Sequence, residues 1–97
     1  MERSERIKMI AYHYGRIHQS KKAIEEMSEL IKALCKLDEN PALDSRNVQY
    51  MNDVVEEIAD VCVMMEQLKL FFNPKLVDDA IDMKIDRQIE RICMGRD

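Results

Sequence analysis

The chain has 97 residues, 46% of them hydrophobic and 35% charged, with only two Gly and two Pro to interrupt regular structure. That balance fits one helical globular domain over residues 1–97 and argues against disorder. A formal net charge of -4, three Tyr, two Phe and no Trp leave little with which to grip a polyanion or stack bases, so nucleic-acid binding is not expected.

A first helix is expected over about Glu5 to Tyr14, with Ile7, Ile10, Ala11 and Tyr14 on one stripe and Gly15 as its stop. A second follows from Arg16 or His18 to Leu37. Its apolar residues Ala23, Ile24, Met27, Leu30, Ile31 and Leu34 recur at i, i+3, i+4 and i+7, the spacing of a core-facing stripe. Glu26 falls at the margin of that stripe and Glu29 further out. Pro41, inside the polar run from Asp38 to Ser45, is the expected break. The third helix starts between Ser45 and Asn52 and reaches about Phe71. It is apolar nearly all round, with Val54, Ile58, Val61, Cys62, Met65, Leu68 and Phe72 as its broad face. Asn73 and Pro74 supply an N-cap and a first-turn proline for a fourth helix that ends near Gly95. Ile81, Ile85, Ile89 and Ile92 are its expected core face, and Lys84, Arg87 and Arg91 run along the edge of that face.

Cys35, Cys62 and Cys93 are odd in number and widely spaced, which reads as reduced core thiols in a cytoplasmic protein. His13 and His18 lie near none of them, so zinc is not expected, and neither follows a Glu at the Glu-x-x-His spacing of di-iron bundles. The N-terminal residues lack an apolar core of signal-peptide length, and no uninterrupted apolar stretch approaches about 18 residues, so no membrane partner is expected.

Chemistry concentrates in two acidic pairs, Glu26-Met-Ser-Glu29 and Glu57-Ile-Ala-Asp60. Residues three apart stack on one helix face, so each helix offers two carboxylates together, the oxygen donors that Mg²⁺ requires. One such pair on a charged helix ordinarily marks a solvated face. The second pair, however, lies inside the apolar run from Val54 to Phe72, where a carboxylate is costly unless paired or bound to a metal. The row Lys84, Arg87 and Arg91 reads either as phosphate contacts or as ion pairs with Asp82, Asp86 and Glu90. Glycine-rich phosphate loops are absent from the sequence.

The run from Tyr14 to Leu30, with Gln19, Glu25-Glu26 and Glu29, then Glu56-Glu57-Ile-Ala-Asp60, then Lys84, Arg87 and Arg91, resembles the MazG-like all-α nucleoside triphosphate pyrophosphohydrolases. The likeness spans about residues 12 to 92 and is greatest to their short, single-domain, phage-type members. It implies an all-α, four-helix-bundle-type fold completed by oligomerisation. It also implies a (d)NTP substrate cleaved to the monophosphate and pyrophosphate, in nucleotide-pool house-cleaning. By the same resemblance Glu26, Glu29, Glu57 and Asp60 match metal ligands for Mg²⁺ or Mn²⁺, Lys84 and Arg87 match triphosphate contacts with Arg91 beside them, and Gln19 matches a polar contact near the nucleotide. Glu25 either orients or deprotonates the attacking water or is a solvated neighbour of Glu26. A homodimer or homotetramer is implied, because this chain lacks the extra helices that shape the base pocket in longer relatives. The alternative is a helical oligomerisation or regulatory module whose carboxylates no longer turn over substrate.

Overall fold

The computed structural model describes residues 1–40 and 45–95. The protein is all-α: α1 spans Arg3–Tyr14, α2 Arg16–Asp38, α3 Ser45–Phe71 and α4 Pro74–Cys93, with no strand among the described residues. None of these helices is long and apolar enough to cross a membrane.

Gly15 alone separates α1 from α2, at φ 84 and ψ 165, a backbone region essentially restricted to glycine. The corner costs no hydrogen bond, because the Gly15 N–H donates to the Ala11 carbonyl at 2.8 Å and its carbonyl accepts from the Gln19 N–H at 3.0 Å. Helix α2 ends at Asp38, and the break expected at Pro41 lies outside the described residues. Between α3 and α4, Asn73 takes φ 76 and its side-chain oxygen accepts from the Leu76 N–H at 3.2 Å, with Pro74 as the first helical residue. Lys69 reaches Asp78 at 2.7 Å and ties the first turns of α4 to α3.

Helices α2 and α3 form the central pair. Gln19 meets Gln67 while Glu26 meets Glu57 and Asp60, so the two run antiparallel. The buried and half-buried positions of α2 include Gln19, Ala23, Glu26, Leu30, Ala33 and Leu37, and those of α3 include Tyr50, Val54, Glu57, Val61, Met64, Leu68 and Phe71. Both series alternate steps of four and three, the spacing of a helix-helix seam. Helix α1 lies along the second half of α3, with Ala11 buried, Ile7 and Ile10 beside Cys62 and Val63, and the Tyr12 ring edge-on to Phe71 at 6.1 Å.

This seam corrects the expected core. Ile24 and Ile31 were the natural candidates for the inner face of α2, yet they are 61% and 63% exposed. The reason is that α2 carries two stripes offset by one residue, and the one with Ala23 and Ala33 faces α3 because small side chains let the backbones approach. The isoleucine stripe consequently points outward. Ile58 and Phe72 of the expected α3 face are likewise exposed, as are Ile81, Ile85, Ile89 and Ile92 on α4. Cys35, Cys62 and Cys93 are free but exposed, not core thiols, because they too lie outside the seam. Among the described residues α4 contacts α3 alone. The resulting radius of gyration is 16.9 Å, against about 12.5 Å for a compact domain of this length.

Candidate metal centre

Glu26 and Glu57 occupy seam positions on opposite helices, and Asp60 lies one turn beyond Glu57. Their carboxylates each place an oxygen within 4.8 Å of the other two. Oxygens on one Mg²⁺ stand about 3 to 4.2 Å apart, given metal–oxygen distances of about 2.1 Å. Small side-chain adjustments therefore suffice to close this group on a cation. Among the described residues it is the single grouping of potential metal ligands, and it contains neither His nor Cys.

Burial gives the group its chemistry. The Glu26 side chain is only 15% exposed, Glu57 is half-buried, and Asp60 lies at the open side. One Glu57 oxygen, Oε2, is buried with no hydrogen-bond partner. A carboxylate oxygen withdrawn from water and left unpaired is destabilising, and a bound cation would satisfy it. Burial accordingly pushes the Glu57 carboxyl above the ordinary carboxylate range, and the charges of Asp60, Glu26, Glu29 and Glu56 push it the same way. An all-oxygen donor set with an orphaned oxygen fits Mg²⁺ or Mn²⁺, which take such donors at close range.

Lys22 is the positive member of the site. Its ammonium lies 3.3 Å from Glu26 and 3.9 Å from Glu25, and it is held above the usual lysine range, first by its hydrogen bond to Glu26 and then by the charges of Glu25, Glu26 and Asp60. Sequence inspection missed this residue, although its place four residues before Glu26 is the ordinary i, i+4 pairing signal.

The remaining candidates are distributed as follows. Glu29 stands outside the three-carboxylate group, half exposed and 4.0 Å from Lys32, yet near enough to raise Glu57. Glu25 is exposed beside Lys22, on the wall of a cleft of about 640 Å³ between α1, α2 and α3, and Lys22, 3.3 Å from Glu26, stands between that cleft and the carboxylates. Gln19 lines that cleft but is 3% exposed, with its amide engaged by His18 at 2.6 Å and by Gln67 at 2.8 Å. Gln67, 1% exposed, is a second buried polar residue that the sequence reading passed over. Its signal was its spacing, three residues after Met64 and four before Phe71, on the stripe that turns inward. Lys84, Arg87 and Arg91 line a shallow groove on α4, and within one chain the fold does not bring them to the carboxylates. Among the described residues they make no ion pair with Asp82, Asp86 or Glu90. Among those residues the three cations therefore have no close carboxylate partner, although Glu90 lines a neighbouring groove with Arg87 and Arg91.

No protein-family model, no curated protein and no solved structure matches this chain. The functional reading accordingly rests on the residues and on the geometry of the seam.

Proposed function

We propose that this protein is a divalent-cation-dependent nucleoside triphosphate pyrophosphohydrolase of the MazG-like kind, working as a homodimer or homotetramer. The observation that carries the reading is the half-buried Glu57 carboxylate, one oxygen orphaned, within 4.8 Å of Glu26 and Asp60 across the α2–α3 seam. When bound, Mg²⁺ or Mn²⁺ supplies positive charge that draws phosphate oxygens to the carboxylates and lowers the pKa of a coordinated water.

The chain's own residues do the rest. Glu26, Glu57 and Asp60 hold the cation, with Glu29 one turn away as a further ligand if its side chain swings inward. Lys22 fixes Glu26 and offsets part of the negative charge that would otherwise repel a triphosphate. Glu25, exposed beside Lys22, would take a proton from an attacking water. Lys84, Arg87 and Arg91 would neutralise the leaving pyrophosphate, and a second copy must deliver them.

The molecular surface supports that last requirement. The isolated chain exposes 7668 Å², whereas a folded monomer of 11.5 kDa exposes about 5,800 Å². The excess, roughly 1,900 Å² per chain, is of the size buried at obligate homo-oligomer interfaces. Apolar faces on α2, α3 and α4 supply it.

The deciding experiment is pyrophosphate release from a panel of ribo- and deoxynucleoside triphosphates, with and without Mg²⁺. The expected products are the monophosphate and pyrophosphate, formed only with the cation and lost in Glu57→Gln. A folded, oligomeric protein that releases pyrophosphate from none of them would instead be a helical module without turnover.

A further inference from the structure

The cleft beside the carboxylates contains a hydrogen-bond chain whose direction is fixed at one end. Gln67 Nε2 faces the Val63 carbonyl at 3.3 Å and the Met64 sulfur at 3.7 Å, and both of these only accept. The amide atom facing them must therefore be the NH₂ group, which leaves Gln67 Oε1 turned toward Gln19. Gln19 Nε2 donates to that oxygen at 2.8 Å, so Gln19 Oε1 in turn faces His18 Nδ1 at 2.6 Å. An acceptor at that distance requires Nδ1 to carry the proton. In the neutral ring Nε2 is then a bare acceptor, and among the described residues it has no other hydrogen-bond partner. Burial of both glutamines protects the chain from competing water.

The His18 ring is stacked on Tyr14, with centroids 4.7 Å apart and planes 15° from parallel. Both rings line the cleft of about 640 Å³, together with Ile10 and Met64, and Lys22 and Glu25 line it toward the metal group. A flat polar ring would meet aromatic and apolar surface there plus one oriented acceptor, with Lys22 between it and the carboxylates.

We propose that this cleft is the base subsite, that His18 Nε2 accepts a hydrogen bond from an N–H on the edge of the base, and that Gln19 and Gln67 are positioning residues that set the His18 tautomer. The assignment rests on the pyrophosphohydrolase reading for the identity of the ligand. It also moves the direct nucleotide contact from Gln19, whose amide is already engaged, to His18.

The test uses ¹⁵N-histidine-labelled protein, without Mg²⁺, titrated with the nucleoside monophosphates and with N3-methyluridine monophosphate beside uridine monophosphate. His18 is expected to show the Nδ1–H tautomer, the reverse of the form free imidazole side chains favour. Its ring signals should shift with at least one monophosphate, and if uridine monophosphate is bound, methylation at N3 should suppress that shift. His18→Phe, which keeps the stack on Tyr14, should weaken binding of the same monophosphate roughly fivefold to tenfold, the effect of one hydrogen bond, and should raise KM more than it lowers kcat. Gln67→Met should abolish the tautomer preference. An Nε2–H tautomer, or ring signals indifferent to every monophosphate, would overturn the subsite. Turnover with a silent His18 removes the subsite and leaves the reaction standing, whereas monophosphate binding at His18 without turnover does the opposite.

Discussion

At Glu57, burial and four neighbouring carboxylates all press toward the protonated acid, so the folded protein holds a proton there that the unfolded chain releases near the ordinary value of 4.5. Because the folded carboxyl titrates higher, the folded state binds more protons across the window between the two values, and stability falls as pH rises through it. A cation favours the charged form and cancels that loss. Thermal melts in chelator should therefore show a midpoint that declines from pH 4.5 upward more steeply in the wild type than in Glu57→Gln, with the variant the more stable at neutral pH. Saturating Mg²⁺ should raise the wild-type midpoint and leave the variant unmoved. Parallel pH profiles for the two proteins would show that Glu57 carries no such strain. A substitution that stabilises the fold while removing activity is the usual signature of a residue kept for function.

The elements owe their limits to local chemistry that was largely legible. Gly15, Asn73 and Pro74 marked two helix boundaries because each supplies something no neighbour can: a glycine-only backbone angle, a side-chain cap, a donor-free first turn. Gly15→Ala should cost about 1 to 3 kcal/mol in urea unfolding, since φ 84 with ψ 165 excludes a Cβ. Asn73→Ala should cost about 1 kcal/mol, whereas Asn73→Gly should cost only a few tenths, because glycine tolerates φ 76 and is itself a fair cap. Which face of α2 turns inward was not legible. Periodicity weights Ile24 and Ile31 above Ala23 and Ala33, but close approach of two backbones favours the small residues, and pattern alone holds no term for the partner helix. The same blindness placed Glu26 at a margin when it lies in the seam. Glu57 and Asp60 were easier to single out, because a carboxylate pair in an apolar run is conspicuous whichever face is buried. Gln67 gained its significance from Gln19 across the seam, and Lys22 from Glu26 one turn along its own helix.

At the scale of the whole molecule, an acidic site on α2 and α3 and the row Lys84, Arg87 and Arg91 on α4 stand apart in one chain, while apolar faces on three helices lie open. Assembly resolves both facts together if the α4 of one copy approaches the carboxylates of another. Light scattering at micromolar concentration should give a dimer or larger species, and Ile85→Glu with Ile89→Glu should dissociate it; a wild-type monomer would refute the arrangement. Glu57→Gln and Arg87→Ala should each be inactive alone, yet a reassorted equimolar mixture of dimers should recover about a quarter of wild-type sites, since half the molecules are hybrids with one intact site each. A mixture as inactive as its components would place each site within one chain. Beneath these predictions lies the proposal that Glu26, Glu57 and Asp60 share a cation, which calorimetric titration with Mn²⁺ tests most directly. The account predicts saturable binding by the wild type, affinity weakened at least about tenfold in Glu57→Gln, and no change in Glu5→Gln, an exposed carboxylate on α1; equal affinities in all three proteins would contradict it.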